Sequence, residues 1–144
     1  MKILALDLGD RWVGSAISDP LGITCKPYQT VEIAGLADFL TQTIAQQRVA
    51  TIVVGYPKTF SGGQSLQTEK VLKVKESLQA HFSALEDVLP INWVLWDERL
   101  SSKRAHEIQQ KASSVEAKLK SHSIAAAFIL QSYLDNLAFG RESS

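Results

Sequence analysis

The 144-residue chain has a single cysteine, Cys25. One cysteine excludes an internal disulfide, and no Cys/His cluster has the spacing of a zinc site. Cys25 is most simply a small buried residue, and a reducing, cytoplasmic setting follows by default. Long apolar runs are also missing. The longest, Ile124 to Leu130, is far short of the roughly 20 residues needed to span a bilayer. The opening MKILALDLGDRW does not read as a signal peptide, because its apolar run is short and Asp7 interrupts it. Neither sign of charge is in excess. The 15 basic residues balance the 15 acidic ones, which argues against a protein that coats nucleic acid by bulk charge. A local basic face is still allowed, since Lys103, Arg104, Lys111, Lys118 and Lys120 fall in one stretch. Internal repeats and low-complexity segments are absent.

The composition is 45% hydrophobic and 21% charged, ordinary for a globular protein. The length suits one domain with a real core, expected over residues 1–138, with 139–144 as a C-terminal tail.

Segment 2–8, KILALDL, reads as a buried strand, and Gly9-Asp10 as a turn. Segment 12–18, WVGSAIS, reads as a second strand. Asp19-Pro20 and Leu21-Gly22 give another turn. A third strand is expected over 23–31, with Pro27 favouring an edge or a bend. Leu36, Phe39, Leu40 and Ile44 have helical spacing. Segment 50–54 is a β-branched run ending at Gly55, and 56–65 is a Pro/Gly/Ser-rich loop. Val71, Val74, Leu78, Phe82 and Leu85 predict a second helix. Segment 91–96 is the next strand, 101–111 a helix capped by Ser101 or Ser102, and 122–138 a buried final helix. The stretch 111–121 reads as a basic connector. This order, three antiparallel strands followed by strand–helix alternation, predicts an α/β fold with a mixed five-stranded sheet and helices on its faces.

Two carboxylates stand out. Asp7 lies between Leu6 and Leu8 and shares a strand face with Ile3 and Ala5. A carboxylate on such a face needs hydrogen bonds, a basic partner or a metal. Capping the Gly9-Asp10 turn is the plainer alternative. Glu98 also stands at the carboxyl end of an apolar strand, in the run VLWDERLSS. Ligands of open α/β sheets collect at that edge. If strands 1 and 5 run parallel and close, Asp7 and Glu98 converge and repel unless a cation lies between them. Oxygen ligands select Mg²⁺ or Mn²⁺ over zinc. Asp97 competes with Glu98, but neighbours in an extended chain point to opposite faces. Carboxylate-held divalent cations at strand ends are the machinery of phosphodiester chemistry. Arg99, Ser101 and Ser102 are then available to substrate phosphates, as is the basic run beginning at Lys103 and Arg104.

LALDLGDRWVGSAISD (4–19), VVGYP (53–57), WDERLSS (96–102) and AAAFILQSYLD (125–135) together resemble the YqgF, or RuvX-like, family. Its members are described as Holliday-junction resolvases and as nucleases that mature the 5′ end of pre-16S rRNA. The resemblance implies a ribonuclease H-like fold, and it places the family's first-strand catalytic aspartate on Asp7 and its Asp-Glu-Arg glutamate on Glu98. Arg11 and Gly14 match the Arg and Gly of the first motif, and Ser101 and Ser102 stand where members often have Thr. The chain departs from the family in two places. GYPKTFSGG lacks the Asp of the usual loop and adds Lys58. His122 stands where the family keeps its third carboxylate.

The resemblance implies a Mg²⁺- or Mn²⁺-dependent nuclease with Asp7, Glu98 and His122 as metal ligands and Arg11, Lys58 and Arg99 among the phosphate contacts. His122, expected at the start of the last helix, would favour Mn²⁺. Precursor rRNA is the first expected partner and branched DNA the second, with no membrane and a monomer or weak homodimer. Two alternatives come from other classes. A kinase of the actin and sugar-kinase superfold would need a second domain and a second phosphate loop. A nucleic-acid-binding scaffold would follow from loss of the third carboxylate.

Overall fold

The computed structural model describes residues 1–56, 66–85, 89–97 and 114–142. Lys58, Glu98, Arg99, Ser101, Ser102, Lys103 and Arg104 lie outside the described residues, as does the helix expected over 101–111.

The described elements are strands β1 (Lys2–Leu8), β2 (Trp12–Ser18) and β3 (Cys25–Glu32), a 3-10 turn (Ile33–Gly35), and helix α1 (Leu36–Gln47). Strand β4 (Val49–Tyr56), helix α2 (Leu66–Ser83), strand β5 (Asn92–Asp97) and helix α3 (Val115–Glu142) follow. The five strands form one sheet in the order β3-β2-β1-β4-β5. The first three make an antiparallel meander, and β4 and β5 run parallel to β1. Strands 1 and 5 are therefore parallel, with β4 between them, and both end at the same edge of the sheet.

Local chemistry sets the connections. In the β2–β3 turn the Asp19 carboxylate accepts the N–H groups of Ile23 (2.7 Å) and Thr24 (3.0 Å). Gly22 supplies the positive φ of 69° that this turn needs. The bond from the Thr24 backbone, followed by others from the same turn, holds the Asp19 carboxyl below its usual range. At the far end of α1, Arg48 adopts a left-handed conformation and its N–H returns to the Ile44 carbonyl, which stops the helix. The Arg48 carbonyl then accepts Lys2 N–H at 3.1 Å, so α1 exits beside the start of β1.

Alternation along the strands makes two cores. Leu4, Leu6, Leu8, Val13, Ile17, Ile52 and Val54 face α1 and α2, among Leu36, Leu40, Val71 and Phe82. Ala5, Ala16 and Val53 face α3, against Ala126, Ile129, Leu130 and Leu134. Helices thus cover both faces, as the sequence predicts.

The last helix departs from expectation at both ends. It starts at Val115 rather than at residue 122, and it runs to Glu142 rather than stopping at 138. Ser114 is the reason for the early start: its hydroxyl accepts Ala117 N–H at 3.0 Å and its carbonyl accepts Lys118 N–H at 2.9 Å. The polar run KASSVEAKLKS hides this cap, because it has little apolar periodicity. Residues 115–121 are the first turns of α3 and not a connector.

Candidate active site

Asp7 is half-buried near the end of β1. Its lateral neighbours are Gly14 on β2 and Gly55 on β4, and beyond Gly55 lies Trp96 on β5. Residues in lateral register share a face, so this row lies on the α3 side, where Ile3, Ala5 and Trp96 pack. Asp7 is flanked by two glycines, so neither neighbouring strand sets a side chain beside its carboxylate. Trp96 is two strand spacings away, about 10 Å at ~4.8 Å per strand.

Helix α3 is seated on that row. A Cβ added to Gly14 would collide with the carbonyl of His122 and lie 2.7 Å from Ser123 N. The α3 backbone therefore rests directly on β2, one strand from Asp7. Small residues permit the approach. Ser121 and Ser123 are buried, and their hydroxyls donate back to the carbonyls of Lys118 (2.6 Å) and Lys120 (2.9 Å). Polar anchors fix the helix along its length. Thr30 Oγ1 donates to the Leu119 carbonyl at 2.6 Å. Trp96 Nε1 donates to Ser132 Oγ at 3.1 Å and packs edge-to-face on Tyr133. Cys25 Sγ reaches the Ala127 carbonyl at 3.3 Å. Cys25 is half-buried rather than fully buried; burial, and then the negative charge of Asp135, push its thiol up to about 11.

The structure brings Asp7 and the His122 segment together across Gly14. His122 does not begin the helix, however. It is half-buried well inside α3, past the Ser114 cap, so the expectation of an exposed helix start is corrected. Asp97 pairs with Tyr56, and its parity matches Trp93 and Leu95, which pack on the opposite core. Asp97 thus faces away from the Asp7 row, as alternation predicts. Glu98, the expected second carboxylate, lies outside the described residues. Among the described residues no three His, Cys, Asp or Glu side chains gather as a metal site.

Arg11 sits in the turn just after β1, at the same edge as Asp7. Its guanidinium lies 5.2 Å over the Trp12 ring and 3.9 Å from Glu32, and it remains exposed. Trp12 is half-buried beneath it, a rim position. Lys118 and Lys120 are exposed on the first turns of α3. Sequence reasoning missed Gly55, Thr30 and Lys70. Gly55 had a signal, a glycine closing a β-branched run. Lys70, 3.5 Å from Asp10, had none, because the pairing depends on how α2 docks. Among the described residues no helix is long and apolar enough to cross a membrane.

A family model described as RuvX, Holliday junction resolvase, matches residues 1–136. The chain is 37% identical over 142 residues to a protein of Clostridium novyi (strain NT) named "Putative pre-16S rRNA nuclease", covering 95% of this chain and 100% of that one. Among solved structures it is similar to T. thermophilus RuvC in complex with a Holliday junction substrate. The TM-score there is 0.55, at 12% identity and 96% coverage of each chain. The yeast mitochondrial Holliday junction resolvase gives a TM-score of 0.53 at 14% identity, covering 97% of this chain and 81% of that one. These structural likenesses establish the ribonuclease H-like fold.

Proposed function

This chain belongs to the RuvX family of Holliday junction resolvases, and from that premise we propose that it is a divalent-metal-dependent endonuclease that trims the 5′ end of pre-16S rRNA in the cytoplasm. The observation that carries the reading is Asp7, a half-buried carboxylate between Gly14 and Gly55 at the carboxyl edge of the sheet. The names of curated relatives favour RNA as substrate. The family description keeps a four-way DNA junction as the second reading.

Asp7 and Glu98 are the proposed carboxylate ligands of a Mg²⁺ or Mn²⁺ ion. Glu98 follows Trp96 by two positions, the spacing that keeps a residue on one face while a chain stays extended. His122 is the proposed third ligand, because its backbone lies against the strand neighbour of Asp7. A half-buried oxygen donor with glycine on either side, and an imidazole-bearing segment beside it, fits a small hard cation that also tolerates nitrogen. When bound, such an ion supplies charge stabilisation to the phosphate undergoing in-line displacement. Arg11, exposed at the same edge, is the proposed anchor for a neighbouring phosphate through paired N–H donors. Lys58, Arg99, Ser101, Ser102, Lys103 and Arg104 are the proposed remaining phosphate contacts.

The test offers the chain a labelled RNA spanning the 5′ precursor boundary and a four-way DNA junction, each with Mg²⁺ or Mn²⁺. The expected result is RNA cleavage, faster with Mn²⁺, and His122→Asp shifting the preference toward Mg²⁺. Cleavage of the junction alone would establish the second reading. Binding of both without cleavage, under either metal, would replace the nuclease with a nucleic-acid-binding scaffold.

A further inference from the structure

A second concavity opens at the carboxyl edge of β1, on the face opposite α3. Its volume is about 460 Å³, within the ~300–1,000 Å³ of small-ligand sites. Leu8, Ile33, Val71 and Val74 form an apolar floor. Lys70, Lys73, Gly9 and Asp10 form the rim. Leu8 follows Asp7 directly in β1 but points to the other face, so the hollow lies at the same strand end as the Asp7 carboxylate and on the opposite side of the sheet. The rim carries two cations and one anion. Asp10 holds Lys70 at 3.5 Å, but both side chains are exposed. Exposed pairs of this kind contribute little, so a phosphate can take the place of Asp10 at small cost.

We propose that this hollow takes one unpaired base of the RNA strand, with Lys70 and Lys73 on the phosphates that flank it. The inference rests on the nuclease reading and sharpens it to a substrate class: RNA that is single-stranded beside the scissile phosphate. An apolar floor has no use for a bare phosphate, and a lysine rim has none for a neutral apolar ligand. A nucleotide carries both chemistries on one unit. A paired base cannot enter, because its edge and both faces are already engaged in the duplex, whereas unstacked bases are the usual targets of RNA-binding pockets. The hollow also lies on the opposite side of β1 from α3.

The experiment measures equilibrium binding of the full chain, without divalent ions, to three RNAs. One is a blunt duplex, one the same duplex with a single-stranded extension, and one carries a single abasic nucleotide scanned along that extension. The wild-type chain is expected to prefer the extension, and one abasic position is expected to weaken binding by about tenfold, the scale of a single seated base. Val74→Phe, which fills the hollow, should remove both effects and leave blunt-duplex affinity unchanged. Lys70→Ala with Lys73→Ala changes only exposed side chains, so it stands in if Val74→Phe fails to fold. It should weaken binding to the extended RNA and flatten its salt dependence. Uniform affinity for all three RNAs would overturn the pocket while leaving the nuclease reading standing. An abasic effect that survives in the variants would place the base elsewhere and also overturn it. No binding to any RNA would overturn the pocket and RNA as the substrate together, and would leave the four-way junction as the nuclease substrate.

Discussion

On the face covered by α1 and α2 the sheet presents Leu4, Leu6, Leu8, Val13, Ile17, Ile52 and Val54, whereas on the face covered by α3 it presents Ala5, Gly14, Ala16 and Val53. Branched side chains on the first face remove large apolar areas from water, and that burial dominates folding free energy. The second face is thin. The α3 backbone touches β2 at Gly14 and is held by anchors such as Thr30 to Leu119 and Trp96 to Ser132. The difference suits a site. A carboxylate among tall side chains would be buried and neutralised. On the α3 face Asp7 stays half-buried, while an adjacent helix backbone is held against Gly14 beside it. The sheet's larger buried side chains gather on one face, and the close backbone approach beside Asp7 lies on the other.

Gly14→Ala should break this division most severely, because its Cβ lands on the His122 carbonyl and α3 must lift. Overpacking of this kind costs about 1–3 kcal/mol or more, and here it also separates α3 from Asp7. Urea denaturation and a cleavage assay on the same sample should both show losses, and undiminished cleavage would mean that α3 is not part of the site. Leu6→Ala sharpens the contrast. Leu6 is fully buried among the large residues, so unfolding should become easier by ~2–5 kcal/mol. Cleavage per folded molecule should stay at the wild-type level, and a fall in it would show that the two faces are coupled. The smallest effect concerns Cys25 beneath α3. With its thiol at about 11 instead of 9.0, little thiolate exists at pH 8. Alkylation of the folded chain should be at least ~10-fold slower than of the urea-unfolded chain, and should accelerate as pH rises toward 11. Equal rates would mean that α3 does not seal this edge.

The strands were legible because alternation is a local signal. KILALDL and WVGSAIS give β1 and β2 to the residue, and the turn at Asp19 to Gly22 is written in its own side chains. Asp7 was legible for the same reason, as a charge inside an apolar strand. The seating of α3 was not. It depends on a contact between residues 14 and 122, which no window of the sequence contains. The start of α3 was obscured because Ser114 caps a polar first turn, and caps carry less pattern than cores. The hollow beside Gly9 was also illegible. Its floor joins β1, the 3-10 turn and α2, and only the packed arrangement puts Lys70 and Lys73 on its rim.

The most direct test of the account is calorimetric titration of Mn²⁺ into the wild-type chain, Asp7→Asn and Glu98→Gln, with thermal unfolding of each sample. Asp7 is the proposed anchor of the ion and Glu98 its partner. The wild type should bind Mn²⁺, and each substitution should weaken binding by at least ~10-fold, since losing a direct ligand should cost no less than losing an outer-shell partner. Neither substitution should lower the melting temperature, because in the proposed site both remove negative charge from one place. Asp7→Asn that folds normally and binds Mn²⁺ as tightly as the wild type would contradict the central claim.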